Sequence, residues 1–406
     1  MAQEVGELIF EGISKTKESS LFRIIDCKVG VEIDSVMLQN DVDILSRLPG
    51  IAAAHYSIES ISSSKIKVIF LLEENFTLIP SVNLWNADSI LAFQVGLYDV
   101  NFLGRNVTLG GYYQFNGLHT YGINFMAPYL IKGKVGVELN VQRWSSYEPL
   151  YFGQYRVDYQ FHFNANEALL LYKINARNSL KAGVSLFREM YVRQEQMSSD
   201  NFNIFPDNVN LKKRLFKFEY EYNNVNYLYY RLKGVKNLFN FQAVKTGGGL
   251  EKYLKPFLIA WNDLIWYKRN AFEGNLAVRL RVGLASNSNS PFAPFALDNQ
   301  KNIRGVGNIV SRGTGTFILN VEYRNTLLMK KWFRLQGNIF VDSGAFRAPG
   351  KSFKNFFKNE NIDLHTGFGL RFIHSSVYNA VFRIDYGIGL TKENTNGFVI
   401  GIGQYF

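Results

Sequence analysis

"LAVRLRVGL", Leu276 to Leu284, decides how most of this chain is read. Leu276, Val278, Leu280, Val282 and Leu284 fall on one side, and Ala277, Arg279, Arg281 and Gly283 on the other. A period of two belongs to an extended strand whose two faces meet different surroundings. The same alternation recurs in both directions. "FILNVEYR" sets Phe317, Leu319, Val321 and Tyr323 against Ile318, Asn320, Glu322 and Arg324. "FKFEYEY" sets Phe216, Phe218, Tyr220 and Tyr222 against Lys217, Glu219 and Glu221. "LKAGVSLF" (Leu180 to Phe187) and "VGVELNVQRW" (Val135 to Trp144) repeat it.

A soluble β-sandwich also alternates. Here, however, the polar face carries charges of both signs beside glycines, which suits a crowded wet lumen. The apolar face is rich in Phe and Tyr near strand ends, as lipid-facing girdles are. Spread over 16 strands, residues 75–406 leave about 21 residues per strand and connection, a usual spacing for a membrane barrel. The chain closes on "GFVIGIGQYF", with Phe398, Ile400, Ile402 and Phe406 assigned to one face and Gly401 and Gly403 to the other. A terminal aromatic strand marks a bacterial outer-membrane barrel. Such strands must close on themselves, because the bilayer offers no hydrogen bonds. The fold class is therefore a 16-stranded antiparallel transmembrane β-barrel over 75–406, preceded by a small α+β domain over 1–74.

That first domain reads as strand, helix, helix, strand, strand. "VGELIF" (Val5 to Phe10) is a strand, and "KESSLFRIIDCKVG" puts Leu21, Ile24 and Ile25 on one helical face. In "DSVMLQNDVDILSRLPG", Asp34 or Ser35 caps a helix with the stripe Val36, Leu38, Val42, Leu45 and Leu48, closed by Pro49-Gly50. "AAHYSIES" and "KIKVIFLLEE" are strands joined by "SISSS". The opening "MAQEV" reads as a start Met ahead of a mature terminus.

Composition narrows the function classes. No apolar run reaches the 18 residues of a membrane helix. One cysteine, Cys27, excludes an internal disulfide and a Cys-rich zinc site. The net charge of +11 suits an anionic lipid surface, and the basic residues are scattered along the sequence, which argues against nucleic acid. No Gly-x-Ser-x-Gly elbow occurs, and the five histidines show no metal spacing, so no enzyme, cofactor or metal is expected.

The long connection over about 285–312 holds "NIRGVGN", with Arg304 between Ile303 and Gly305. If this loop enters the lumen, its arginine meets inward acids. Alternation supplies Glu322 and, in "NIFVDSGAF", Asp342, which shares its face with Phe340 and Gly344. A guanidinium bound to a carboxylate would fix the loop, and Gly305 would permit a tight approach to the wall. On residues alone, a solvated extracellular loop remains the alternative.

In their order and spacing these motifs resemble the Omp85 superfamily of outer-membrane assembly and translocation proteins, over nearly the whole chain. The N-terminal unit is similar to one of its POTRA domains. "GLYDVNFLGRN" resembles its first barrel hairpin, "IRGV" its loop-six motif, and "FVDSG" its inward Asp strand. "VEYRN", "GFGLRF" and "FRIDYGIG" resemble its last strands. The resemblance implies that Arg304 pins loop six through Asp342 with Phe340 packed nearby, and that Arg383 and Asp385 extend a lumen network with Glu322. Val306 stands where the family has an aromatic, which predicts a looser tip. The resemblance also implies a seam between first and last strands. That seam involves Phe398, Gly401, Gly403, Tyr405 and Phe406, with Gly397 weakening the strand further.

Three functions follow as expectations. The first is an insertase or translocase templating unfolded outer-membrane or secreted polypeptides, in contact with outer-membrane lipid or lipopolysaccharide and with periplasmic accessory proteins. The second is a passive channel. The third is the membrane half of a single-POTRA relative of the patatin-associated type, exporting lipid or polypeptide. The POTRA domain is expected in the periplasm.

Overall fold

The computed structural model describes residues 3–87, 90–152, 155–194, 205–228, 230–248, 255–298, 301–307, 311–374, 381–391 and 395–406. The N-terminal module has strands β1 (Glu4–Glu11), β2 (Ile51–Ser60) and β3 (Lys65–Glu74) and helices α1 (Glu18–Ile24) and α2 (Ser35–Leu45). The central β3 pairs parallel with β1 and antiparallel with β2. Both helices bury one face on this sheet, where Leu21, Ile24, Leu38 and Leu45 join Val5, Phe70 and Cys27. Asp34 caps α2 by accepting from the Val36 amide at 2.8 Å.

Two details differ from the sequence reading. Val36 is 63 % exposed, because it lies two residues from Leu38, about 200° around the helix from the buried stripe of Leu38, Asp41, Val42 and Leu45. The helix also stops at Leu45, with Ser46 as its cap, so Leu48 packs from the following turns rather than from the helix.

Sixteen strands form the closed barrel. In order they are β4 (Leu78–Ala87), β5 (Ile90–Asp99), β6 (Thr108–Phe115), β7 (His119–Ile131), β8 (Val135–Phe152), β9 (Tyr155–Lys173), β10 (Asn178–Arg193) and β11 (Asn208–Asn223). They continue with β12 (Arg231–Gly247), β13 (Phe257–Arg269), β14 (Gly274–Ala285), β15 (Gly315–Met329), β16 (Phe333–Arg347), β17 (Ile362–His374), β18 (Val381–Gly389) and β19 (Asn396–Ile402). Every neighbour pairs antiparallel, and β19 returns to β4. No helix among the described residues is long and apolar enough to cross a membrane. The strands do that, with Leu139, Val184, Phe216, Ile339 and Phe398 exposed on the outside.

The module sits under one mouth of the barrel. Asn101, in the β5–β6 turn, donates to Thr16 at 2.9 Å, and the Lys17 amide donates to the Gly104 carbonyl at 2.8 Å. Arg47 reaches the Asn223 carbonyl at 3.0 Å. The connection between β14 and β15, loop six, enters from the opposite mouth and carries a small ribbon of Phe295–Leu297 paired with Ser311–Gly313.

The closing segment corrects a further expectation. β19 ends at Ile402, and Gly403 adopts φ +92, a left-handed turn that swings the tail off the wall. Phe406 therefore leaves the lipid face assigned to it and packs among Val225, Tyr267 and Ala277 inside.

Candidate functional site

The site lies where loop six meets β15 to β18. Strand alternation aims Asn320, Glu322 and Arg324 of β15 inward, together with Phe340 and Asp342 of β16, Arg371 of β17, and Arg383 and Asp385 of β18. All are almost completely buried. Into this wall the loop inserts Arg304, which is 0 % exposed.

Arg304 spends nearly all of its donors on acids. Its backbone amide and Nε donate to Oδ2 of Asp342 at 3.1 and 2.8 Å, and Nη2 donates to Oδ1 at 2.9 Å. Nη1 donates to Glu322 and lies 3.8 Å from Asp385. Planar, bidentate engagement of this kind is specific to guanidinium. The flat faces of the group are used as well. The Phe340 ring centre is 3.5 Å from Cζ and the Tyr405 ring centre is 4.4 Å away.

Glu322 is the hub of a wider network. It accepts from Arg324 at 2.6 Å and from Arg371 at 3.1 Å in addition to Arg304. Arg371 also donates to Asp385 at 2.8 Å, and Arg383 lies 3.5 Å from the other Asp385 oxygen. Asn320 and Asn338 donate to Asp342 and Asp385 at 2.9 and 3.1 Å. Four guanidiniums thus face three carboxylates. Burying so many charges carries a large desolvation cost, which only dense mutual pairing offsets. Removing one member strands the others.

Glycines let the backbones close. A Cβ on Gly305 would come within 2.8 Å of the Gly387 backbone, and one on Gly387 would sit 2.2 Å from the Arg304 carbonyl. Gly344 lies under Ile303, whose Cδ1 would be 2.4 Å from an added Cβ. Val306 is buried with Ile303, Leu297, Ile318 and Phe346. The tip is therefore tightly packed without an aromatic, contrary to the looser tip expected. Asn308 lies outside the described residues.

The structure brings Ile303, Arg304, Gly305, Val306, Glu322, Phe340, Asp342, Gly344, Arg383 and Asp385 together. It separates Phe398, which faces outward, from Tyr405, which joins the cluster and also stacks 5.0 Å from Arg383. Gly401 lies against Asn83 and Arg383 at the strand junction, where a Cβ would be 2.5 Å from Asn83 Oδ1. Sequence reasoning left Arg324 and Arg371 out of the network. Their signal was present, because both alternate in phase with inward residues of "VEYR" and "GFGLRF".

A second anchor crosses the lumen. Arg312, on the returning limb of loop six, donates to Glu148 of β8, whose carboxylate also accepts from Ser146 at 2.6 Å. Phe292 of the outgoing limb packs 5.3 Å from Tyr191 of β10, and Phe295 meets Trp261 of β13 edge-on at 6.4 Å. Loop six is thus a strap, tied by arginines to two opposed parts of the wall.

The seam is the weakest pairing of the described wall. β19 and β4 pair over three residues, Val399 with Trp85, Ile400 with Leu84 and Gly401 with Asn83. Their other edges pair over seven and ten.

Comparison with known proteins gives the same picture. A BamA from Haemophilus ducreyi lacking POTRA domains 1–3 superposes with TM-score 0.58 at 15 % identity, covering 98 % of this chain and 84 % of that one. CdiB from Acinetobacter baumannii gives 0.64 at 13 % identity, covering 99 % and 74 %. CdiB from Escherichia coli gives 0.67 at 10 %, covering 100 % and 77 %. These likenesses concern the fold. No curated protein matches the sequence. The Omp85 superfamily domain matches residues 101–406, from the β5–β6 turn to the final aromatic, and the chain belongs to the Omp85 superfamily of outer-membrane β-barrels.

Proposed function

We propose that this barrel is a non-enzymatic insertase or translocase that templates polypeptide strands at the seam between β4 and β19. The observation that carries this reading is the three-residue closure of the seam. An edge held by so few pairs separates at low cost, and separated edges present unpaired amides and carbonyls to an incoming strand. The tail beyond Gly403 adds a tether. Tyr405 is stacked on Arg304, so the loop-six cluster and the closing strand are mechanically joined. In this reading the N-terminal module faces the periplasm, and its edge strand β2 offers an extended client the same backbone pairing.

The test is a disulfide across the seam. Leu84→Cys and Ile400→Cys face each other in register. In proteoliposomes given an unfolded barrel protein, the oxidised tether is expected to block folding of that client, and reductant to restore it. Unchanged client folding with the seam tethered refutes seam templating. A passive channel instead passes steady current through the tethered barrel.

A further inference from the structure

The folded barrel gathers basic residues that the sequence scatters. On the outer face, Arg188 of β10 stands directly opposite Lys212 of β11, and Arg214 of β11 directly opposite Lys245 of β12. Opposed residues lie about 5 Å apart, and Lys212 and Arg214, two apart on one strand, about 7 Å apart. All four side chains are exposed. Like charges in directly opposed positions destabilise a sheet. Among the described residues no carboxylate pairs with any of the four. Among the described residues their one polar side-chain partner is Asn210, which accepts from Arg188 at 2.8 Å. Asp158, outward on β9, is paired with Arg156, and Asp207, just ahead of β11, with Arg193.

The position of the cluster indicates what it meets. Toward the module on the same faces stand Leu186 and Phe216, one step away, and Val184, two steps away, all strongly exposed. The change from apolar to polar falls within one step of register on neighbouring strands, at Ala168 to Asn166, Leu186 to Arg188, Phe216 to Arg214 and Ala243 to Lys245. Such a border is where acyl chains give way to headgroups. It lies at the mouth from which loop six enters, away from the module.

We propose that Arg188, Lys212, Arg214 and Lys245 form a binding site for the phosphate groups of an outer-leaflet phosphorylated glycolipid, lipid A, with its acyl chains lying on Leu186, Val184 and Phe216. Paired cations at this spacing match a phosphate's oxygens, and the two arginines supply forked donors. The site relieves the repulsion that the strand register imposes. The choice of lipid source rests on the orientation given above, with the module in the periplasm. The phosphate chemistry does not.

The experiment uses the full chain in zwitterionic micelles, titrated with bisphosphorylated lipid A. Binding is expected to weaken about tenfold or more in the Lys212→Gln/Arg214→Gln/Lys245→Gln variant. Lys330→Gln/Lys331→Gln, in the exposed β15–β16 turn at the opposite rim, is expected to leave it unchanged. Heat-modifiable migration checks that each variant is folded. Equal binding by the triple variant overturns the site, and equal binding of lipid A stripped of phosphate overturns the phosphate chemistry. Equal affinity for phosphatidylglycerol overturns the glycolipid in favour of any anionic lipid. Orientation is read separately. Lys245→Cys, in a chain whose native Cys27 is buried, is labelled on intact cells with an impermeant maleimide. Labelling only after permeabilisation overturns the orientation and the outer-leaflet source, while leaving the micelle result to stand or fall alone.

Discussion

Asp342 holds Arg304 by three hydrogen bonds, two from the guanidinium and one from the arginine's own backbone amide. Loop conformation and side-chain position are thus fixed by the same carboxylate. A lysine could supply the charge but neither the fork nor the flat faces on which Phe340 and Tyr405 stack.

Arg304→Ala is therefore expected to release the loop while leaving the strand ladder intact. Loss of one member of a buried charge group costs about 3–5 kcal/mol locally. Asp342→Asn should resemble it, and the double variant should cost much less than the sum, with a coupling of about 1–3 kcal/mol. Limited proteolysis of loop six on folded barrels measures all three. An additive double variant dissociates the two residues.

The anchor between Arg312 and Glu148 lies across the lumen and shares no partner with the Asp342 contact. Glu148→Gln should loosen the limb near Phe292 while Arg304 stays docked. Combined with Arg304→Ala, the effects on single-barrel conductance are expected to add, as for independent sites. Current equal to that of Arg304→Ala alone would show that the second tie holds nothing.

Gly387→Ala tests the close approach of tip and wall. Its Cβ would meet the Arg304 carbonyl at 2.2 Å, so the tip must move, at a cost of about 1–3 kcal/mol. Gly397→Ala is the control, since its added carbon meets only Gly305 Cα, at 4.0 Å. Loop protease sensitivity should rise for the first and not for the second.

The joint of the N-terminal module should respond to acid. Burial alone would raise the Glu74 carboxyl, but hydrogen bonds from Thr16 and from the amides of Lys15 and Ser14 hold it down at about 2. A depressed acid stabilises the folded form above its unfolded value of 4.5, and that contribution is lost as pH falls through about 2. Solvent at this partly exposed carboxylate keeps the gain modest, about 1 kcal/mol. Hydrogen exchange at residues 14–16 should therefore gain protection from Glu74 at neutral pH and lose it between pH 4.5 and about 2. In Glu74→Gln the protection should be low at neutral pH and no longer follow the acid.

Period two, read along the sequence, determined the barrel, its inward face and the acids awaiting Arg304. Alternation is a local property of extended backbone, so Glu322, Asp342, Arg383 and Asp385 were legible from neighbours two residues away. So were Arg324 and Arg371, had their phase been followed to the same conclusion. The folded structure alone decided the rest. Gly403 breaks the alternation with a left-handed turn, so Tyr405 and Phe406 point where no strand rule sends them. The tie from Arg312 to Glu148 joins residues 164 apart, and the charge cluster of Arg188, Lys212, Arg214 and Lys245 exists only once strand register sets them side by side. Register and closure are properties of the whole sheet. The physical reason they escape a sequence reading is that a strand's pattern names its two faces, while its partners are chosen by the closed hydrogen-bonded ring.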